Sequence, residues 1–121
     1  MASATITITD VTKPPQNLYD LLTLPNLPGY TVSPAPVANP NVPTLTASVT
    51  YLSLQASYLN TTQTVYKGDS GVKTDGSRQS KELIAGDTDV QQAVQYSVNL
   101  RLIYITASAN GAKVNVESHT G

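Results

Sequence analysis

Apolar and polar residues alternate from the start of the chain. Thr5, Thr7 and Thr9 share one parity, and Ile6 and Ile8 share the other. A period of two with β-branched residues predicts a strand over Ala4–Asp10. The period then changes. Leu18, Leu21 and Leu22 stand at i, i+3, i+4 spacing behind Asn17. This predicts one short helix capped by Asn17 and stopped by Pro25. From Thr44 onward alternation returns, predicting strands at Leu45–Leu54, Thr62–Lys67, Glu82–Ala85 and Val90–Leu102, with a turn at Gly86-Asp87. In the last of these, Val90, Val94, Tyr96, Val98, Leu100 and Leu102 share a parity. The apolar parity then moves to Ile103 and Ile105, which calls for a bulge or tight corner near Asn99–Leu102.

Asn110-Gly111 has the composition of a type I′ turn and predicts a closing hairpin. In that register Ala107 meets Val114 and Ile105 meets Val116 on one face. Ser108 meets Lys113, Thr106 meets Asn115 and Tyr104 meets Glu117 on the other. The expected fold is all-β: one compact antiparallel β-sandwich over residues 1–121, jelly-roll or Ig-like. At most one short helix is expected, near the N-terminus. Gly68, Gly86, Asn110 and Gly111 are expected as turn residues.

Two residue classes are segregated along the chain. All eight prolines lie between Pro14 and Pro43. Charges are absent from Leu21 to Tyr66, and nine fall between Lys67 and Asp89. The prolines from Pro25 to Pro43 exclude a helix and a central strand, so an extended segment is expected there. Region 12–43 is read either as a long loop lying over its own domain or as an arm gripping a partner. For the arm, the interface candidates are Tyr19, Leu21, Leu24, Pro25, Leu27, Tyr30, Val32, Pro34, Pro36 and Val37.

Composition narrows the chemistry. The chain has 121 residues, no Cys and one His, so thiolate metal sites, disulfides and thiol nucleophiles are excluded. Charged residues are 12% of the total, against about 25% in an average protein, and the net charge is −1. No strong field draws in nucleic acid or anionic lipid, and no nucleic-acid or membrane partner is expected. No apolar run approaches a membrane span of about 18 residues. The N-terminus lacks a basic start and apolar run, so folding where the chain is made is expected, and the absence of Cys fits a cytoplasmic origin.

Three local patterns carry candidate chemistry. Gly68-Asp69-Ser70-Gly71 resembles the nucleophile loop of trypsin-like peptidases. Such a serine needs a His base, and His119 lies near the end of the chain, where fraying is expected. Asp69, Asp75, Asp87 and Asp89 offer carboxylates for Ca²⁺ without the spacing of a calcium loop. Asn60-Thr61-Thr62 matches the N-glycosylation pattern. Turn chemistry explains these residues equally well, so no enzyme, cofactor or metal is expected. The seven Tyr suit half-buried and interface positions. Tyr66, Tyr96 and Tyr104 are expected to pack on sheets with their hydroxyls at the rim.

One ordered set of segments stands above composition. Val65-Tyr66-Lys67-Gly68-Asp69-Ser70-Gly71-Val72 precedes Glu82-Leu83-Ile84-Ala85-Gly86-Asp87. Ile103-Tyr104-Ile105-Thr106-Ala107-Ser108 and Lys113-Val114-Asn115-Val116 follow. This order resembles small structural proteins of tailed-bacteriophage virions, of the decoration or cement type. The opening strand and Leu18-Tyr19-Asp20-Leu21-Leu22 also look like the N-terminal end of that group. The Pro25–Pro43 stretch and the longer Gly71–Lys81 loop depart from it. The resemblance implies a virion location, favouring the capsid surface, and no catalytic residues. It implies partners in the major capsid protein or another virion protein, and in copies of itself, with a trimer favoured by analogy. The alternative reading is a carbohydrate-binding or tail- or neck-associated module touching host glycans.

Overall fold

A computed structural model describes residues 2–24, 27–33, 48–69, 71–73, 75, 81–92 and 98–119. The strands pair as one long ribbon folded over on itself. At its open end β1 (Ala2–Ile8) lies antiparallel to β11 (Ala112–His119). Next, β2 (Gln16–Asn17) pairs with β10 (Tyr104–Ala107). β4 (Ser48–Val49) pairs with β9 (Val98–Asn99), and β5 (Tyr51–Ala56) with β8 (Thr88–Gln92). At the closed end β6 (Val65–Gly68) pairs with β7 (Lys81–Leu83). β3 (Tyr30–Ser33) adds an outer strand beside β1.

The ribbon wraps into two sheets. One has the order β3-β1-β11-β5-β8 and the other β2-β10-β6-β7. Setting aside the edge strand β3 and the short β4–β9 pair, eight strands remain, paired first with last and inward to the middle. That nesting is the jelly-roll arrangement, so of the two expected sandwich types the strand order matches this one.

Alternation explains the wrapping. Ile6 and Ile8 of β1, Leu52, Leu54 and Ala56 of β5, and Ala112, Val114 and Val116 of β11 are buried on one face of the larger sheet. Val65, Leu83, Ile105 and Ala107 are buried on the facing side of the smaller one. These strands each bury one face, and those faces are buried only by stacking sheet on sheet. The described residues share one core cluster.

The expected helix forms as α1 (Leu18–Thr23). Asn17 Oδ1 accepts from the Asp20 N–H at 2.9 Å, as the N-cap reading requires. Six residues are too few for a helix to persist alone. Leu18 and Leu21, both at 0% exposure, anchor it in the core. The corner expected near Asn99–Leu102 is a 3₁₀ turn over Leu100–Leu102. Among the described residues no helix is long and apolar enough to cross a membrane.

Other expectations are corrected. The closing hairpin does not form: β10 pairs with β6 and β2, whereas β11 pairs with β1 and β5. The Asn110-Gly111 turn passes from one sheet to the other, so Ile105 and Val116 lie on facing sheets. Its polar groups find partners outside a hairpin. The Gly111 N–H donates to the Ile8 carbonyl at 2.8 Å, and Asn110 Oδ1 accepts from the Val11 N–H at 2.8 Å. Gly68 is no turn residue: it ends β6 opposite Tyr104. Val90 and Leu102 are exposed, because Val90 faces outward on β8 and Leu102 lies in the 3₁₀ turn. Val94 and Tyr96 lie outside the described residues, as does the start of the Leu45–Leu54 strand.

Polar clamps tie the two sheets at opposite edges. At one, the Tyr30 hydroxyl donates to the Ile105 carbonyl at 2.9 Å. Burial pushes that phenol up to about 12, against hydrogen bonding that pulls it down. At the other edge, Asp89 of β8 points inward with a side chain 10% exposed. It accepts from Lys67 Nζ of β6 and, at 2.7 Å, from Lys81 Nζ of β7. Burial alone would raise the Asp89 carboxyl, but the two ammonium groups outweigh it and hold it below the ordinary 3.8.

A lowered folded pKa means that this contribution is complete above the unfolded value. It is lost as pH falls through the folded one. Asp89→Asn is expected to cost about 2–3 kcal/mol near neutral pH, less than a fully buried broken pair because Lys81 is half exposed. The cost should shrink below about pH 4, as the native carboxyl itself protonates. Urea unfolding of both proteins from pH 7 to pH 2 measures it; a constant difference across that range would contradict the clamp.

Candidate functional site

The interface candidates scatter. Leu21 and Tyr30 lie in the chain's own core, at 0% and 6% exposure, and are closed to a partner. Tyr30 alternates inward on β3, and Leu21 falls on the buried face of α1. Leu27 and Val32 are half-buried against the core, and Tyr19 packs there under the Arg101 guanidinium, 4.2 Å from its ring. Leu24, 45% exposed, is open. Pro25, Pro34, Pro36 and Val37 lie outside the described residues. For 27–33, then, the loop-over-its-own-domain reading is the one that fits, and β3 takes the edge position that neighbouring prolines permit.

Besides Leu102 of the 3₁₀ turn, 68% exposed, the most exposed apolar side chains occur at the sandwich end where β5 leads to β6 and β7 to β8. Tyr58 is 77% exposed, Leu59 76% and Ile84 59%. Their backbone is tightly held. Where β5 turns away from β11, the Asn60 side chain continues the pairing. Its Oδ1 accepts from the Lys113 N–H at 2.8 Å and its Nδ2 donates to the Lys113 carbonyl at 3.0 Å. The Leu59 N–H donates to Ser57 Oγ at 3.1 Å, and the Asn60 N–H to the Ser57 carbonyl at 3.0 Å. The neighbouring turn is pinned as well: Gly86 N–H donates to the Ala56 carbonyl at 2.7 Å, and Asp87 Oδ2 accepts from the Ile84 N–H at 3.1 Å.

Gly86 is required there. Its φ is +88°, and a Cβ at that position would meet Tyr58 Cε1 at 2.6 Å. The Tyr58 ring thus rests on the Gly86 backbone, and two turns present one apolar tip. Sequence reading missed it. The available signal was apolar Tyr58-Leu59 inside a polar turn, and Ile84 adjacent to Leu83, where only one of the two can face inward.

The patterns weighed for chemistry take structural roles. Asp87 closes its turn, and Asp69 Oδ1 accepts from the Gly71 N–H at 2.9 Å. Asp89 is engaged by two lysines. Asn60, 5% exposed, is committed to Lys113 at both ends of its amide. His119 does not fray: it pairs with Tyr51 at the end of β11, and the two rings meet edge to face at 5.0 Å. Ser70 and Tyr96 lie outside the described residues. Tyr66 and Tyr104 sit in sheet strands as expected, the first 7% exposed and the second half-buried.

The outer face of the five-stranded sheet is almost wholly uncharged and polar. Thr88, Gln55, Asn115, Thr5 and Ser33 follow one another across β8, β5, β11, β1 and β3. Thr5 Oγ1 donates to Asn115 Oδ1 at 2.9 Å, and Asn115 Nδ2 donates to Gln55 Oε1 at 3.4 Å. The described side chains of this face are exposed or half-buried, whereas on the outer side of the smaller sheet Thr106 of β10 is 1% exposed.

No protein-family model matches this chain, and no curated protein or solved structure is significantly similar to it.

The Asn60 side chain is expected to set the rigidity of the tip. Asn60→Ala removes the partner of the Lys113 N–H, while the Lys113 carbonyl keeps the Ser57 N–H. The expected cost is about 1–2 kcal/mol, measured by chemical denaturation. Amide exchange at residues 57–60 should accelerate more than at Leu52 or Leu54. Uniform acceleration across β5 would contradict a local anchor.

Proposed function

We propose that this chain is a non-enzymatic structural protein of a virion, a capsid decoration or cement protein that docks on the major capsid lattice. The observation that carries the reading is the tip of Tyr58, Leu59 and Ile84, three large apolar side chains held in solvent on hydrogen-bonded turns. Leaving such groups exposed forgoes about 1.5–3 kcal/mol of burial for each. Their rigid support means that little ordering entropy is lost when a partner covers them. Single exposed apolar residues need no explanation, but three clustered on one end mark a contact surface.

The fold and the short motifs support the same reading. The jelly roll is an architecture used by viral capsid domains and by lectins, so by itself it leaves function open. The order of motifs from Val65 to Val116 resembles phage decoration proteins. Many copies on a symmetric shell require only modest affinity at each contact. Neighbouring copies on such a shell are the natural self-partners.

Capsids assembled without the protein test the proposal directly. The wild-type chain should bind them saturably and raise the temperature at which they release DNA. A Tyr58→Ser, Leu59→Ser double variant should keep the wild-type thermal midpoint yet bind at least about tenfold more weakly, since 1.4 kcal/mol corresponds to a factor of ten. Failure of the wild-type chain to bind would reject the lattice role. Equal binding by the double variant would reject the tip as its contact.

A further inference from the structure

We propose that a depression on the outer face of the five-stranded sheet binds a neutral saccharide. The depression is shallow, about 260 Å³, and its polar lining is Ser3, Ser53, Gln55, Thr88, Asn115 and Glu117, beside Val116. Strand register explains its shape. Ser53 stands opposite Glu117, and Glu117 opposite Ser3, so short side chains flank a long one in this row. On one side runs the row of Thr88, Gln55 and Asn115; on the other run Gln92, Tyr51 and His119. Glu117 stays in the lining with its carboxylate turned toward His119, its Oε1 lying 3.2 Å from Nε2. The result is a trough across the strands with hydroxyls on its floor and amides on one wall, and with Tyr51 and His119 in the adjoining row beyond it.

That donor set selects its ligand. A pyranose has hydroxyls around its rim and C–H groups on its faces. The Ser, Thr, Gln and Asn groups can donate to and accept from the hydroxyls. Tyr51 and His119, packed edge to face at 5.0 Å, stand in the adjoining row, where a sugar unit extending beyond the depression would lay its C–H face. Asn115 is already held by Thr5 and Gln55, so fewer rotamers remain to be frozen on binding.

Other ligand classes fit worse. Glu117 opposes phosphate, sulfate and anionic sugars. The lysine on this face, Lys113, already donates to Thr7 Oγ1 at 3.2 Å. A protein partner would find Val90 as the one large aliphatic side chain beside the trough, at 51% exposure. The trough lies on the sheet face and the apolar tip at the sandwich end, so this inference stands apart from the lattice reading.

The test is a ¹⁵N NMR titration of the full chain with cello-, malto-, manno- and chito-oligosaccharides, each raised to about 10 mM, a range that reaches weak millimolar sites. The expected result is saturable shifts from at least one of them, confined to the amides of Ser53, Gln55, Asn115, Glu117 and their neighbours. Ser53→Gln, which fills the trough from an outward-facing position, should abolish those shifts. Tyr51→Ala should weaken binding at least about tenfold. If Tyr51→Ala unfolds the chain, Ser53→Gln decides alone. No saturable shift with any of the four, shifts elsewhere, or unchanged binding by Ser53→Gln would overturn the proposal. Tighter binding of a sulfated oligosaccharide would overturn the neutral class.

Discussion

Most of the described strands have one apolar face, and the rest of the structure follows from burying it. A single layer would leave that face in water. The ribbon of paired strands therefore folds over and stacks β1, β11 and β5 against β10 and β6. Stacking leaves open edges where core meets solvent. There the chain places its interior polar contacts, Tyr30 to the Ile105 carbonyl on one side and Asp89 to Lys67 and Lys81 on the other. A buried ion pair adds little net stability beside a well-packed apolar pair, yet it fails badly when halved. Its value here is registration: Asp89 is satisfied only when β8 lies over β6 and β7.

The two candidate surfaces are by-products of the same wrapping. Each time the ribbon passes between sheets, a turn breaks the parity that hides apolar residues. Tyr58, Leu59 and Ile84 sit at two such crossings, from β5 to β6 and from β7 to β8. They are exposed, but Asn60 and Gly86 keep them fixed. The trough comes from the other consequence of parity: inward apolar positions force outward ones that are free to vary. On β5 and β11 those positions are Tyr51, Ser53, Gln55, Lys113, Asn115, Glu117 and His119. The alternation of short and long side chains there sculpts a depression without disturbing the core.

The parts legible in the sequence were those with local causes. The Ala4–Asp10 alternation, the Asn17 cap of α1, the Gly86 turn and the corner at Leu100–Leu102 each rest on a few adjacent residues. The closing hairpin failed for a physical reason. Inward residues of β10 and β11 have the same parity whether the strands lie side by side or face each other across the core. Asn110-Gly111 suits either crossing, and the choice is made far away, by β1 and β6 claiming the hydrogen-bonding edges. Leu21 and Tyr30 were misread for a related reason. A proline-rich neighbourhood marks irregular backbone, but not whether the apolar residues within it face a partner or the chain's own core. Tyr30 does the latter through a hydrogen bond 75 residues away in sequence.

The clustering of charge between Lys67 and Asp89 now has a structural reading. Lys67, Lys81 and Asp89 form the edge clamp, and Asp69 and Asp87 close turns. Much of the chain's limited charge is thus spent on holding its own fold. The tip of Tyr58, Leu59 and Ile84 carries none, and the trough holds one carboxylate drawn toward His119. Binding at either surface therefore depends on shape, apolar burial and uncharged hydrogen bonds. Such contacts gain little from long-range steering and are insensitive to salt. Slow, unsteered encounters with modest single-site affinity suit a protein held in many copies, because repeated contacts multiply retention without any one having to be tight. A module that met its partner singly in dilute solution would gain from a charged approach surface, whereas among the described residues of the two tip turns the one charge, Asp87, is engaged by the Ile84 N–H.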